Sequence, residues 1–415
     1  MDALRTTNRS LTFVVLAIGL LAAGCRSENE PRSEAPSRPS PAKRARLDAL
    51  GYVSTNDVRE DDLQKRGVVR HDPARVQPGV NLWNSLAKTS AVLMDAEGRT
   101  VHEWSLESAE GEWGHLELLP DGDLLVFHQD PDELIRLDWN SEVRWRRPML
   151  AHHDGDVDAN GHLWVLDVRR SLIHVGSEWM SLAKDWIVEL DADGEIVREI
   201  PLTDLLSDRF DLEELAGRVE DRDPRDENVK FLDPTHANTL ALVPAGNPGP
   251  FGAGRILFAA RNLDLVAVLD PESETIEWTF GPGELDWPHQ PALTSRGTVL
   301  VFDNGAHRGW SRIVEVDPGA RDISWEYRGD SPDDFFSRTM GSVQPLPNGN
   351  VFVSESERGR AFEITRSGDI VWEFFNPELD ETARTRGTFY RMKRVTEGDL
   401  PEGCWHDLDL AAPQS

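Results

Sequence analysis

From residue 90 onward the chain repeats one short grammar: an apolar strand, a tight Asp-Gly or Asn-Gly turn, a second apolar strand and, in most copies, a closing tryptophan. The turn-and-strand half reads Leu119-Pro120-Asp121-Gly122-Asp123 ahead of residues 124–127, and Leu346-Pro347-Asn348-Gly349-Asn350 ahead of residues 351–353. Looser copies are Asp158-Ala159-Asn160-Gly161-His162 and Thr294-Ser295-Arg296-Gly297-Thr298. The closing half reads Leu93-Met94-Asp95-Ala96-Glu97-Gly98 up to Trp104, Glu189-Leu190-Asp191-Ala192-Asp193-Gly194 up to Ile200, and Glu363-Ile364-Thr365-Arg366-Ser367-Gly368 up to Trp372. Further closings fall at Trp145, Trp278 and Trp325. Such closings, roughly 40 to 50 residues apart once an insertion is allowed, match the blade period of a propeller. The pattern predicts an all-β, six-bladed β-propeller over residues 90–395. Asn-Gly and Asp-Gly suit blade corners because both positions tolerate positive φ. The 14 Trp against 3 Tyr are explained by indoles packed between blades.

The repeat is interrupted by residues 202–233, rich in Leu and charge, which are expected to be largely helical and placed to roof one end of the channel. The first closing pair, residues 90–104, lacks its own turn-and-strand half. Residues 389–395 are the candidate for the missing strand, so that the ring is sealed by the chain ends and no sheet edge is left open. Residues 396–415 read as a C-terminal tail, and Cys404 within it carries no assigned role.

Ahead of the repeats, residues 46–89 form an N-terminal extension, with a short helix expected over residues 56–66, Asn56 as its N-cap, and a loop through Pro73 and Pro78. Residues 26–45, with Pro31, Pro36, Pro39 and Pro41 among polar side chains, read as a flexible, disordered tether. Residues 1–25 read as an export signal, with Arg5 and Arg9 ahead of an apolar run too short to span a bilayer. The signal ends Leu21-Ala22-Ala23-Gly24-Cys25, which resembles a bacterial lipobox and implies a lipidated Cys25. The expectation is an exported periplasmic or cell-surface lipoprotein held to the membrane by its N-terminal lipid. Arg26 after the cysteine favours the outer membrane. With Cys25 lipidated, Cys404 has no disulfide partner.

A formal net charge of -30 excludes nucleic acid as a partner, since phosphate binding needs clustered Lys and Arg. A small anion needs a local positive pocket against that background. Three histidines open successive repeats: His153 ahead of Gly155-Asp156-Val157, His236 in Thr235-His236-Ala237-Asn238, and His289 in Trp287-Pro288-His289-Gln290. The first strand of a propeller blade lines the central channel, so these imidazoles are expected to converge on one axis. Arg261 follows the strand of residues 256–260 and adds fixed positive charge. A lone buried histidine is most often a satisfied core residue, but three at matching repeat positions make that coincidence act three times. Neutral imidazoles facing a guanidinium suit transfer of an anionic group between oxygens: one attacks, a second with Arg261 offsets developing charge, a third moves a proton. Of the adjoining His152 and His153, the spacing to the turn favours His153. His115 is a further channel candidate, and His307, after an Asn-Gly turn, is expected at an exposed rim. A metal site built on the three histidines lacks a short His-x-His pair or an ordered acidic ligand, so no metal is assigned.

These residues resemble the bacterial arylsulfate sulfotransferases, exported six-bladed propellers that move a sulfuryl group between phenols without a nucleotide sulfate donor. The resemblance is densest in His289-Gln290-Pro291-Ala292-Leu293, in Val301-Phe302-Asp303-Asn304-Gly305-Ala306-His307-Arg308 and in Ser311-Arg312-Ile313-Val314-Glu315. It implies that His289 is the nucleophile forming a sulfohistidine, that His236 and Asn238 are a His-x-Asn pair, that Arg261 binds the sulfate and that His153 is the remaining channel histidine assisting proton transfer. Asn238 and Arg261 are thereby expected to contact substrate, an aryl sulfate donor and a phenol acceptor, with no cofactor. The oligomeric state stays open. The alternative is a non-catalytic propeller that binds an anionic ligand or protein partner with the same residues.

Overall fold

Runs of Val, Ile, Leu and Phe form strands that are mostly buried on both faces, as in Val299–Asp303 and Val351–Glu355, which are buried along their whole length. The computed structural model describes residues 54–408 apart from 87, 107–110, 130 and 224–225. The chain is all-β with few, short helices, and its strands form successive antiparallel meanders.

Among the described residues, six sheets of four or more strands follow each other. The first combines Lys393–Val395, Val80–Trp83, Ser90–Met94 and Thr100–Ser105, in that order. The second runs Glu112–Leu118, Leu124–Gln129, Glu133–Leu137, Val143–Pro148, and the third Ala151–Val157, Leu163–Val175, Glu178–Leu190, Ile196–Ile200. The fourth runs Ala237–Leu242, Ile256–Ala260, Leu265–Asp270, Thr275–Phe280, and the fifth Pro288–Leu293, Val299–Asp303, Arg312–Asp317, Asp322–Arg328. The sixth is Ser342–Pro345, Val351–Glu355, Arg360–Ile364, Ile370–Phe375, with Gly67–His71 added outside. The inner strands lie side by side: Ala237–Leu242 touches both Ala151–Val157 and Pro288–Leu293, which in turn touches Ser342–Pro345.

Each junction between consecutive sheets holds its own apolar cluster. Trp104 and Trp113 pack between the first and second sheets, Phe127 and Val165 between the second and third, and Leu166 and Phe258 between the third and fourth. Val266 and Val301 fill the next junction, Phe302 and Phe362 the one after, and Trp83 with Phe352 and Trp372 joins the sixth sheet back to the first. The closing tryptophans do more than fill space. Indole N–H groups of Trp145, Trp278, Trp325 and Trp372 donate to Ala192, Pro318, Arg366 and Ala96 carbonyls at 3.0, 3.0, 3.1 and 2.8 Å. Each acceptor sits in the tight turn of the next sheet. Where the third sheet closes without tryptophan, Arg198 Nη1 donates to the Pro271 carbonyl at 3.1 Å, and Trp104 packs edge-on against Trp139 at 5.2 Å.

Several expectations are corrected. Residues 56–66 are not one helix. Thr55–Asp57 is a strand paired with Thr385–Gly387, and only Glu60–Asp62 forms a 3-10 turn. The run is acidic without an apolar stripe, and Arg386 donates from outside to the Asp62 and Lys65 carbonyls, both at 2.8 Å. The extension also supplies Val80–Trp83 to the first sheet, so that sheet begins before residue 90. The missing strand of that sheet comes from Lys393–Val395, paired with Val80–Trp83. Residues 202–233 are only partly helical, at Leu202–Leu205 and Leu212–Arg218. Asp226–Leu232 pairs in parallel with Glu178–Leu190, the second half of a long hairpin that the repeat pattern did not foretell. The tail is likewise not all loose, since Leu400, Cys404, Trp405 and Leu408 pack on the cluster between the first two sheets. The export signal with Cys25 and the tether over 26–45 lie outside the described residues.

Replacing Trp372 with Phe keeps most of the packing but leaves the Ala96 carbonyl without its donor, so a loss of about 1–2 kcal/mol is expected. Trp372→Ala, which also opens a cavity, is expected to cost about 3–5 kcal/mol. Denaturant unfolding of both variants checks this, and a Phe variant as stable as the parent removes the indole hydrogen bond from the account.

Candidate functional site

The inner strands carry their polar residues where strand pairing skips. Register breaks fall between Ala151 and Gly155, between Ala237 and Thr239, and between His289 and Ala292, and such bulges re-aim side chains. His153 (φ 62°) and Gln290 (φ 44°) take up the left-handed backbone region within these breaks, and His236 (φ 46°) and Trp287 (φ 57°) do so just ahead of their strands. Non-glycine residues adopt it at a cost of about 1–3 kcal/mol each, and only when the surroundings enforce it. The three histidines are therefore not strictly equivalent, because His153 and His236 are themselves left-handed whereas His289 stands between left-handed Trp287 and Gln290.

The structure brings the expected residues together. The His153 and His236 rings lie 5.0 Å apart. Arg261, directly after Ile256–Ala260, donates its backbone N–H to the His236 carbonyl at 3.1 Å. The three imidazoles are 2–3% exposed and Arg261 is 8% exposed. Burial holds the His153 imidazole well below its usual range, with His152, His236, His289 and Arg261 pushing the same way. Burial lowers His236 too, with Arg261 adding and Asp233 opposing. Burial and then Arg261 drive His289 down to about 3. Arg261 itself is lowered by burial to about 10 and stays cationic at neutral pH. The result is a cluster of neutral rings around one fixed positive charge.

His289 is held in a single tautomer. The Asn304 amide donates to the Ser337 and Met340 carbonyls at 2.7 and 2.9 Å, so its Oδ1 is the atom facing His289 Nδ1 at 2.8 Å. That oxygen can only accept. Nδ1 therefore carries the proton, with the Trp287 carbonyl 3.2 Å away as a second acceptor, and the lone pair lies on Nε2. His236 is oriented differently, its Nδ1 meeting Asp233 Oδ2 at 2.5 Å while Asp233 Oδ1 accepts from the His236 backbone N–H at 3.0 Å. Burial pushes the Asp233 carboxyl up, but His236 and Arg261 prevail and hold it below its usual value. His153 Nδ1 meets the Tyr390 hydroxyl at 3.1 Å.

Asn238 is buried beside the cluster, but its amide braces two sheets, with Nδ2 donating to the Pro288 carbonyl at 3.0 Å and Oδ1 accepting from Thr239 Oγ1 at 3.0 Å. His152 turns to Asp185, with Nε2 3.5 Å from Oδ1, whereas His153 faces the cluster. His115 is buried, its Nε2 3.3 Å from Asp154 Oδ1 and its ring 5.8 Å from Tyr390. His307 is an exposed rim residue whose Nδ1 lies 2.7 Å from Asp286 Oδ1. Among the described residues, Asp158, His162 and Glu189 have metal-ligand spacing, but His162 Nδ1 already meets Glu189 at 2.7 Å and Arg198 stands 3.4 Å from the other carboxylate oxygen.

Sequence reasoning missed Asp233, Asn304, Tyr390 and Trp287. Signals for three of them were present: Asp233 stands three residues before His236, Asn304 lies inside the Phe-Asp-Asn-Gly stretch, and Tyr390 falls in the segment proposed to complete the first sheet. Chemically, the arrangement offers a neutral nucleophilic nitrogen, a buried guanidinium beside it and a carboxylate-backed imidazole that can carry a proton.

A ring kept neutral in the fold but free to protonate when unfolded destabilises the protein in acid. For His289 the unfolded chain takes up a proton below about pH 6.5 while the folded chain does not until about pH 3. Stability is therefore untouched above pH 6.5 and falls as pH drops from there, by up to about 1.4 kcal/mol per pH unit for one such histidine. His289→Gln should flatten the decline between pH 6.5 and 4.5 in denaturant unfolding, and a decline parallel to the parent's contradicts a neutral buried ring.

A family model described as Arylsulfotransferase (ASST) matches residues 115–377, well over half of the chain. No curated protein matches the sequence. Among solved structures, a protein of unknown function from Bacteroides caccae is 14% identical with a TM-score of 0.49, covering 76% of this chain and 98% of that one. A streptogramin B lyase is 12% identical with a TM-score of 0.47, covering 82% and 97%. A virginiamycin B lyase from Staphylococcus aureus is 11% identical with a TM-score of 0.45, covering 81% and 98%.

Proposed function

The chain belongs to the arylsulfotransferase family, and from that premise we propose that it moves a sulfuryl group from an aryl sulfate to a phenol through a sulfohistidine at His289, without a nucleotide sulfate donor. The observation that carries the reading is the Asn304 lock, which places the lone pair of the buried His289 on Nε2, with the Arg261 guanidinium acting on the same ring. In the first half-reaction Nε2 forms an N–S bond as the S–O bond to the aryl group breaks, and that electron pair leaves on the phenolate oxygen. Arg261 offsets charge on the sulfuryl oxygens and on the leaving oxygen. In the second half, the incoming phenol gives its proton to a base, its oxygen forms the new O–S bond, and the N–S pair returns to Nε2. The proton taken up replaces the one the first phenolate collects on release.

Geometry favours His236 as that base. Asp233 stabilises the imidazolium that forms on His236, whereas His153 Nδ1 faces the Tyr390 hydroxyl. Proton transfer, assigned from the sequence to His153, therefore moves to His236, and His153 with Tyr390 becomes a polar wall of the pocket. Asn238 becomes a positioning residue for the strand of His289. The six sheets are read as six blades of one closed propeller, extending from about residue 80 to 395. The Leu-Ala-Ala-Gly-Cys ending supports a lipoprotein anchored through Cys25 at a membrane surface, outer membrane first.

Incubation with 4-nitrophenyl sulfate and a phenol acceptor tests the reading. Transfer is expected, with an acid-labile sulfuryl label on the protein. His289→Asn should lower turnover by about 10³-fold or more, and undiminished turnover removes the nucleophile assignment. Asn304→Leu should cut kcat by about 10²-fold with KM little changed, because Asn304 reaches the chemistry only through the orientation of His289. Binding of aryl sulfates without turnover points instead to a non-catalytic propeller.

A further inference from the structure

Trp287 stands two residues before His289, half-buried, with its backbone N–H fixed by Asp264 Oδ1 at 2.8 Å. Two guanidiniums flank its ring, that of Arg261 at 4.4 Å and that of Arg338 at 5.7 Å from the ring centre. Arg261 is buried against the imidazoles, whereas Arg338 is exposed and lines a cavity of about 670 Å³ together with Phe336 and Thr339. Arg338 repels the charge on Arg261, and among the described residues neither forms an ion pair.

That is unusual in a chain with 74 acidic and 44 basic side chains. Asp57, Asp333, Glu355 and Glu357 line the same cavity, and the last two are already bonded. Glu357 Oε2 accepts from the Arg338 backbone N–H at 2.8 Å, and its Oε1 accepts from Thr339 N and Oγ1 at 3.2 and 2.5 Å. Glu355 pairs with Arg360 at 2.9 Å, and Arg358 pairs with Asp62 at 2.7 Å. Arg261 has Asp233 as its leading opposite charge, whereas among the described residues no carboxylate forms an ion pair with Arg338, so two like charges sharing one indole favour a ligand that brings a negative charge to each.

We propose that Arg338 forms a second anion site at the mouth of the pocket, and that the preferred aryl substrate carries a ring carboxylate in addition to the transferred group. The proposal rests on the sulfuryl-transfer reading of the site. The sulfuryl group occupies Arg261, the flat ring lies along Trp287, and the carboxylate meets Arg338. The two guanidiniums are no farther apart than their distances to the indole laid end to end, a gap one substituted benzene ring spans.

Calorimetric titration with benzenesulfonate and 4-sulfobenzoate tests it. Both are unreactive and share the sulfonate, and they differ by one carboxylate. The protein should bind 4-sulfobenzoate about tenfold more tightly, and Arg338→Gln should erase that preference while leaving benzenesulfonate affinity unchanged. Equal affinities in the parent protein, failure of both to bind, or an equal loss of both in the variant overturn the proposal. The last result makes Arg338 part of the sulfuryl site. Turnover of 4-nitrophenyl sulfate by the same preparation keeps the two readings apart. Turnover without a carboxylate preference refutes the second site alone, and a preference without turnover refutes the transferase reading and leaves the dianion site standing.

Discussion

Everything in this molecule depends on sheet meeting sheet. A strand such as Val299–Asp303 is apolar on both faces, so no single meander can be stable in water, and each must be covered on both sides by its neighbours. The junction clusters provide the cohesion, but apolar contact is non-directional and does not say how far one sheet slides along the next. The tryptophan N–H groups do, because each reaches one defined carbonyl in the following turn. The same indole thus seals a junction and sets its register, and the inner strands inherit that alignment.

Alignment of the inner strands is what gives the site its chemistry. His153, His236 and His289 come from three different sheets, and the left-handed residues at or beside them are tolerable only because the flanking strands enforce them. Burial then fixes protonation. Burial keeps the His289 ring neutral while Arg261 keeps its charge, so one environment yields both a neutral imidazole and a fixed cation. Asn304 and Asp233 separate the roles of otherwise similar rings, the first by accepting from Nδ1 as a neutral amide, the second by offering a carboxylate.

Much of this was legible beforehand. The turn glycines, the closing tryptophans and the placement of Arg261 after residues 256–260 follow local rules that act within a few residues. The helix expected from Asn56 failed because an N-cap residue means little without an apolar stripe behind it, and strand partners far along the chain claimed the segment. The partial strand in residues 202–233 was hidden because its pairing partner is a hairpin whose length no turn motif announces. Asn304 and Tyr390 were missed for a related reason: what they do depends on contacts across sheets, and neither residue type signals such a contact by itself.

The first sheet pairs Val80 with Val395, and Tyr390 and Arg391, just ahead of that last strand, reach His153 and Asp154. During synthesis Val80–Trp83 can pair with Ser90–Met94 on one edge, but its other edge must wait until Lys393–Val395 has been made. A transcript cut short before residue 390 would encode most of the sheets yet yield a chain with an open, sticky seam and an unfinished pocket wall. Completion of the first sheet and of the wall around His153 is in this sense tied by topology to one late segment, residues 390–395.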